Sequence, residues 1–142
     1  MTDGDHPAVE DPVFERQWTV RFSDSDPFEI AHYPRIIDAL HQTADEYVES
    51  IGWPFWTMTD EHGIGLPIVD VGARFHQPVR AGDVVTIGMT ATVGDSSVRF
   101  EYAGTVDGEL AFTGYEQRVC VEVGGESSIP VPDGLREALM AD

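Results

Sequence analysis

One stretch of this chain repeats at helical spacing, and nearly everything after it alternates with period two. From Pro34 onward, Ile36, Ile37, Leu40, His41, Ala44, Tyr47, Val48 and Ile51 recur three and four residues apart, while Arg35, Asp38, Gln42, Asp45, Glu46 and Glu49 take the other side. That spacing predicts one amphipathic helix over Pro34–Ile51. Proline suits its first turn, where a missing N–H costs no hydrogen bond, and Gly52 stops it. Before it, Arg16–Phe22 alternates, with Trp18, Val20 and Phe22 on one side, and reads as a strand. Trp53-Pro54-Phe55-Trp56 begins a short helical turn or an apolar loop. After Gly63-Ile64-Gly65 the period is two: Val69, Val71, Ala73 and Phe75 share a face, then Val85, Ile87, Met89, Ala91 and Val93, then Val98, Phe100 and Tyr102. Asp107-Gly108 is a hairpin signal. Leu110–Val123 reads as the last strand, with a bend expected near Gly114. A short helix over Asp133–Met140, with Asp133 as its N-cap, closes the chain. One long helix against a meander of antiparallel strands is an α+β layer arrangement.

The 142 residues show no internal repeat and no linker, so the sequence reads as a single domain, 1–142, with 1–13 as a flexible arm. The one cysteine, Cys120, cannot form an internal bridge; it falls in a strand-like run and reads as a small core residue. Its isolation fits a reducing, cytoplasmic compartment. The first residues are polar and acidic with no basic-then-apolar pattern, and no apolar run approaches 18 residues, so neither a secretory signal nor a membrane span is expected. Acidic residues number 26 against 8 basic ones, all arginine, for a net charge of −18. Such a field disfavours nucleic acid and anionic membrane surfaces. The acids are spread along the chain, which reads as a solvated surface adapted to high salt, where screening suppresses self-repulsion.

Polar groups concentrate between the first strand and the long helix, in Arg21-Phe22-Ser23-Asp24-Ser25-Asp26-Pro27-Phe28-Glu29-Ile30-Ala31-His32-Tyr33-Pro34. This string resembles the 4-hydroxybenzoyl-CoA thioesterase family of the hot-dog superfamily. So do Leu66-Pro67-Ile68-Val69-Asp70-Val71-Gly72-Ala73-Arg74-Phe75-His76-Gln77-Pro78-Val79-Arg80-Ala81-Gly82-Asp83 and the closing hairpin strands. The resemblance runs from about Val20 to Pro132. The Asp-x-Asp-Pro…Tyr-Pro spacing is fairly specific to the family, whereas Pro-x-x-x-Gly-Asp is common to many hot-dog proteins. The resemblance implies a hot-dog fold, a curved antiparallel β-sheet wrapped around one long central helix. It implies hydrolysis of an acyl-CoA thioester, with Asp26 as the catalytic carboxylate, either nucleophile or general base. Tyr33 matches the family's tyrosine seven residues later and would position the acyl group. A homodimer or homotetramer follows, with sites at the subunit interface, and no cofactor, since coenzyme A belongs to the substrate. The sequence departs from the family at Glu29, usually glycine, which bears on the loop shape and the acyl pocket, and at Ile36, often aromatic.

The chemistry of the residues agrees. Thioester hydrolysis needs a carboxylate to attack the carbonyl carbon or activate water, and donors aimed at the developing oxyanion. The free N–H groups opening the long helix, with its dipole, suit the second task. Asp24 is expected to hold the loop by side-chain to backbone bonds. His32 is a candidate substrate-lining residue, with a packed or solvent-facing histidine as the plainer alternative. Arg74 and Arg80, with Arg99 and Arg118 behind them, are candidates for the coenzyme A phosphates; a salt bridge to a neighbouring acid is the alternative for each. No metal is expected: His6, His41, His62 and His76 show no zinc-like spacing among themselves or with Cys120. There is no glycine-rich phosphate loop and no Gly-x-Ser-x-Gly elbow. Two other functions remain open. One is an enoyl-thioester hydratase or dehydratase, for which His32 would serve. The other is a non-catalytic acyl-thioester binding protein, favoured by the bulk of Glu29.

Overall fold

The computed structural model describes residue 9 and residues 11–140. Most of the expected arm, residues 1–13, and with it His6, therefore lies outside the described residues. The elements run β1 (Phe14–Thr19), a 3-10 turn (Phe22–Asp24), α1 (Tyr33–Ser50), α2 (Phe55–His62), β2 (Ile64–Gly65), β3 (Ile68–Phe75), β4 (Val84–Val93), β5 (Ser97–Val106), β6 (Glu109–Val119), β7 (Val121–Glu122) and α3 (Asp133–Met140). Five strands form an antiparallel sheet in the order β1-β4-β5-β6-β3, and β2 pairs with β7. The chain, read from sequence as one domain, divides into two compact units. Among the described residues, one gathers those up to Thr43 with Ala73–Thr90 and Glu101–Gly114; the other gathers Ala44–Gly72, Ala91–Phe100 and those from Tyr115 on.

In the first unit β1 lies antiparallel to β4, from Phe14 opposite Met89 to Thr19 opposite Val84. The alternation seen in the sequence puts Val85, Ile87, Met89, Tyr102 and Phe112 in the core, with Ile36, Ala39 and Leu40 of α1. Thr43 is fully buried in the same helix because its hydroxyl donates to the Ala39 carbonyl at 2.8 Å. The first strand ends earlier than its alternation implies. Val20, just past its end, is buried; its N–H donates to the Asp83 carbonyl and its carbonyl accepts the Gly82 N–H, both at 2.8 Å. Phe22 belongs to the 3-10 turn instead and is 76% exposed. The β5–β6 hairpin turns at Asp107 and Gly108, both at positive φ (52° and 81°), the geometry that the right-handed strand twist favours for a two-residue turn.

In the second unit Tyr47 meets Phe100 edge-on with ring centroids 6.3 Å apart, and its hydroxyl donates to the Leu139 carbonyl at 3.4 Å. Burial pushes the Tyr47 phenol above its ordinary range. Pro54 precedes α2 and Gly63, at φ +66°, ends it; the Trp53 and His62 rings, from just before the helix and its last residue, stack at 4.2 Å. Glu116 and Arg118, two apart on β6 and so on one face, form a buried pair at 2.8 Å. Arg118 also donates to the Leu66 carbonyl at 2.9 Å, and its guanidinium lies over the Phe55 and Phe100 rings at 4.7 and 5.6 Å.

The final strand, expected to run unbroken from Leu110 to Val123, breaks at Cys120. The Cys120 N–H donates to the Ser96 carbonyl and its own carbonyl accepts the Ile129 N–H, both at 2.8 Å, which redirects the chain into β7. Cys120 is fully buried, the core residue its context suggested, and burial raises its thiol above the usual range. Asp133 opens α3 from inside the first turn instead of capping it, since Pro132 supplies the carbonyl for the Arg136 N–H. Its charge still suits the helix dipole there.

Gly104 tests how tightly the first unit is packed. A Cβ there would come within 2.3–2.7 Å of three Phe112 ring atoms, and Phe112 is fully buried. Gly104→Ala should therefore cost about 1–3 kcal/mol in urea unfolding, the usual price of overpacking.

Candidate active site

The site grows out of a small hairpin in the first unit. Ser25 and Ala31 face each other in an antiparallel bridge, and Ile30 does the same with Arg80. Between the arms, the Asp26 N–H donates to the Ile30 carbonyl and the Glu29 N–H to the Asp26 carbonyl, both at 2.9 Å. Asp26 and Pro27 occupy the first two positions of this turn, where aspartate and proline are favoured for their side-chain acceptor and fixed φ. A three-residue loop of this kind needs a left-handed residue to re-enter the ladder. That residue is Glu29, at φ +64°. The glutamate thus stands where glycine would be strain-free, which explains physically why a glycine is usual in the resembling family.

Asp26 is half-buried. Its Oδ1 accepts two backbone N–H groups, from Phe28 at 2.8 Å and from Ile30 at 3.2 Å. Its Oδ2 has no hydrogen-bond partner among the described residues. One oxygen anchors the side chain while the other remains available to a reactant. The returning arm of the hairpin is fixed to the segment before β4, with Ala31 N–H donating to Val79 O at 2.6 Å and Ala81 N–H to Glu29 O at 3.2 Å. Two exposed aromatics, Phe22 and Phe28 (77%), flank the carboxylate in sequence.

Asp24 holds the base of the loop as its position suggested: its Oδ2 accepts the Arg21 N–H at 2.9 Å. Its backbone carbonyl accepts the His32 N–H at 2.8 Å, and Arg35 stands 3.7 Å from its Oδ1. The Arg35 contact had no sequence signal, because the ten residues between the partners follow no single period.

Tyr33 is the first residue of α1, one position ahead of the expected start, and is 61% exposed. Its N–H has no acceptor among the described residues. Pro34 has none to give, and the Arg35 N–H donates to the His32 carbonyl at 2.8 Å. His32 is exposed, with its ring 5.4 Å from that of Tyr33.

The four arginines separate. Arg80 is brought to the turn through its bridge to Ile30, with an exposed side chain. Arg74 is exposed on β3, and no strand pairing joins it to the turn. Arg118 is not a phosphate-facing cation: it is buried against Glu116, the alternative its neighbours allowed. Arg99 lies over the Tyr115 ring at 4.3 Å and donates to Gln117 at 3.2 Å. The Tyr115 hydroxyl donates to Asp70 at 3.1 Å, and that bond to a carboxylate raises its pKa above the ordinary phenol range. Among the described residues no three His, Cys, Asp or Glu side chains gather closely enough to hold a metal ion, and no helix is long and apolar enough to cross a membrane.

The strain at Glu29 is measurable. Glu29→Gly should raise folding stability by about 0.5–1 kcal/mol, the left-handed penalty less the backbone entropy of glycine. Glu29→Val should lower stability, because a β-branched residue tolerates positive φ least. Chemical denaturation of the two variants beside the parent chain reads both signs.

Comparison with known proteins shows the family and the fold. Residues 20–139 match the family model of the thioesterase-like superfamily. A 1,4-dihydroxy-2-naphthoyl-CoA hydrolase from Synechococcus sp. (strain CC9605) is 26% identical over 136 residues, covering 92% of this chain and 91% of that protein. One from Thermosynechococcus vestitus is 23% identical, covering 87% and 86%. Among solved structures, a mutant 4-hydroxybenzoyl-CoA thioesterase complexed with 4-hydroxybenzoyl-CoA superposes with TM-score 0.81 at 26% identity, covering 88% of this chain and 96% of that one. A thioesterase-superfamily protein from Jannaschia sp. CCS1 superposes with TM-score 0.85 at 23% identity, covering 94% of each chain. The fold is the hot-dog fold, and the chain belongs to the thioesterase-like superfamily.

Proposed function

We propose that this protein hydrolyses an acyl-CoA thioester to the free acid and coenzyme A, with Asp26 as the catalytic carboxylate. The observation that carries the reading is the division of labour between the two Asp26 oxygens. Oδ1 is held by the Phe28 and Ile30 amides, so Oδ2 is presented in a fixed direction. Oδ2 either attacks the thioester carbon, forming an acyl-enzyme anhydride and releasing the thiolate, or takes a proton from an attacking water. In both routes negative charge develops on the former carbonyl oxygen. The unengaged Tyr33 N–H, at the positive end of α1, is the donor suited to it. The Tyr33 ring and His32 would line the acyl side. Arg80, fixed to the same turn through Ile30, would meet a coenzyme A phosphate, with Arg74 as a second cation. Relatives that act on hydroxynaphthoyl- and hydroxybenzoyl-CoA, together with the exposed Phe22 and Phe28, favour an aromatic acyl group.

The assembly would be a homodimer or homotetramer. β3 is at one edge of the sheet, and Val69, Val71 and Phe75 on one of its faces are 59%, 45% and 48% exposed. A strand edge beside uncovered apolar side chains invites pairing with a second copy. The net charge of −18 supports function in a salt-rich cytoplasm, where the screened field admits an anionic substrate.

Two experiments test this. Asp26→Asn should lower kcat at least about 100-fold against a panel of benzoyl-, phenylacetyl- and short- and medium-chain acyl-CoAs, the scale of losing a general base or more. Molar KCl should raise the activity of the parent chain. Unchanged turnover in the variant would remove Asp26 from the mechanism, and calorimetric binding of acyl-CoA without hydrolysis would make the protein a binding module instead. For the assembly, light scattering should give two or four times the 15.6 kDa chain mass, and Val71→Lys should shift it toward the monomer.

A further inference from the structure

We infer that Asp24 is a positioning residue for Asp26, acting through its side chain at the base of the catalytic hairpin. The inference rests on the proposed role of Asp26. Asp24 joins three pieces of chain. Its Oδ2 accepts the Arg21 N–H at 2.9 Å, just after the first strand. Its Oδ1 is 3.7 Å from the Arg35 guanidinium, in the first turn of α1. Its main-chain carbonyl accepts the His32 N–H at 2.8 Å, immediately before α1. The two arms of the Asp26 hairpin therefore leave from one residue. The same residue fixes the start of α1, whose Tyr33 N–H is the oxyanion donor of the proposed mechanism. Carboxylate and donor share one anchor.

The energetics separate this role from a merely stabilising one. The Asp24 side chain is 14% exposed and that of Arg35 52%, so the ion pair is partly screened and contributes little to global stability. The bond from the Arg21 N–H is charge-assisted and directional. Above it, the hairpin carries the left-handed Glu29, whose strain favours reopening. With the base untied, the turn relaxes and Oδ2 moves relative to the Tyr33 N–H. Displacements of this kind reduce the chemical step steeply and leave the binding of a distant substrate portion nearly untouched.

The test uses the full chain, with benzoyl-CoA or the fastest substrate of the panel as probe, and compares Asp24→Ala, Asp24→Asn, Arg35→Gln and Asp26→Asn. Asp24→Ala should lower kcat about 30-fold with KM within about twofold of the parent, well below the roughly 100-fold cost of a 1 Å misplacement. Circular dichroism should show it folded at the assay temperature. Asp24→Asn keeps an oxygen for the Arg21 N–H and should retain kcat within about threefold, and Arg35→Gln should match it, since both remove only the screened charge contact. A kcat for Asp24→Ala within twofold of the parent would overturn the assignment. So would a loss confined to KM. If Asp24→Ala fails to fold, the other pair decides: an Asp24→Asn variant that stays folded yet loses kcat tenfold or more refutes the role of the Arg21 bond. Parent-like turnover in Asp26→Asn overturns the catalytic reading itself, whereas an inactive Asp26→Asn beside a fully active Asp24→Ala overturns only the role of Asp24.

Discussion

Two backbone amides converging on one oxygen of Asp26 are the constraint from which the rest of the site follows. To bring the Phe28 and Ile30 N–H groups onto a single acceptor, the chain must fold back within three residues. That turn demands a left-handed residue, and Glu29 supplies it at a cost. The cost is carried by what the hairpin leans on. Its returning arm pairs with the segment before β4, and that segment pairs in turn with Val20. A carboxylate on a surface loop thus inherits its direction from buried strands, which is how scaffolded loops acquire precision.

Much of this was legible in the residues. The helix was visible because its apolar positions hold one period across 18 residues, and the strands because theirs hold another. Asp107-Gly108 and Gly52 declared themselves through chemistry that few other residues share. The first strand misled because Phe22 happens to continue an alternation that the Arg21–Asp24 hydrogen bond interrupts. The break of the last strand at Cys120 was not foreseen, because the decisive partners, Ser96 and Ile129, are remote or follow a loop. Asp26 stood out through its proline and its spacing to Tyr33. The contact of Asp24 with Arg35 could not be read, because ion pairs between elements leave no periodic trace.

The charge of the chain shapes the site as much as its turn does. With eight cations against 26 acids, each arginine has many possible partners. Arg118 is consumed inside the second unit and Arg35 is drawn to Asp24. Arg80 keeps an exposed side chain beside the hairpin. In such a field a cation that meets the substrate does so by virtue of where the backbone fixes it, since the net potential works against the encounter.

The buried Glu116–Arg118 pair has a consequence for how this sequence can drift. Losing either member alone strands a charge in the interior, at about 3–5 kcal/mol, whereas exchanging both for apolar residues of similar bulk is close to neutral. The two positions are separated by a valley that single substitutions cross only at the expense of much of a small protein's stability. Arg118 also donates to the Leu66 carbonyl and lies over Phe55. Any lineage that abandons the pair must therefore find new support for three stretches of chain at once, and the pair is a ratchet that turns more easily toward its own persistence than away from it.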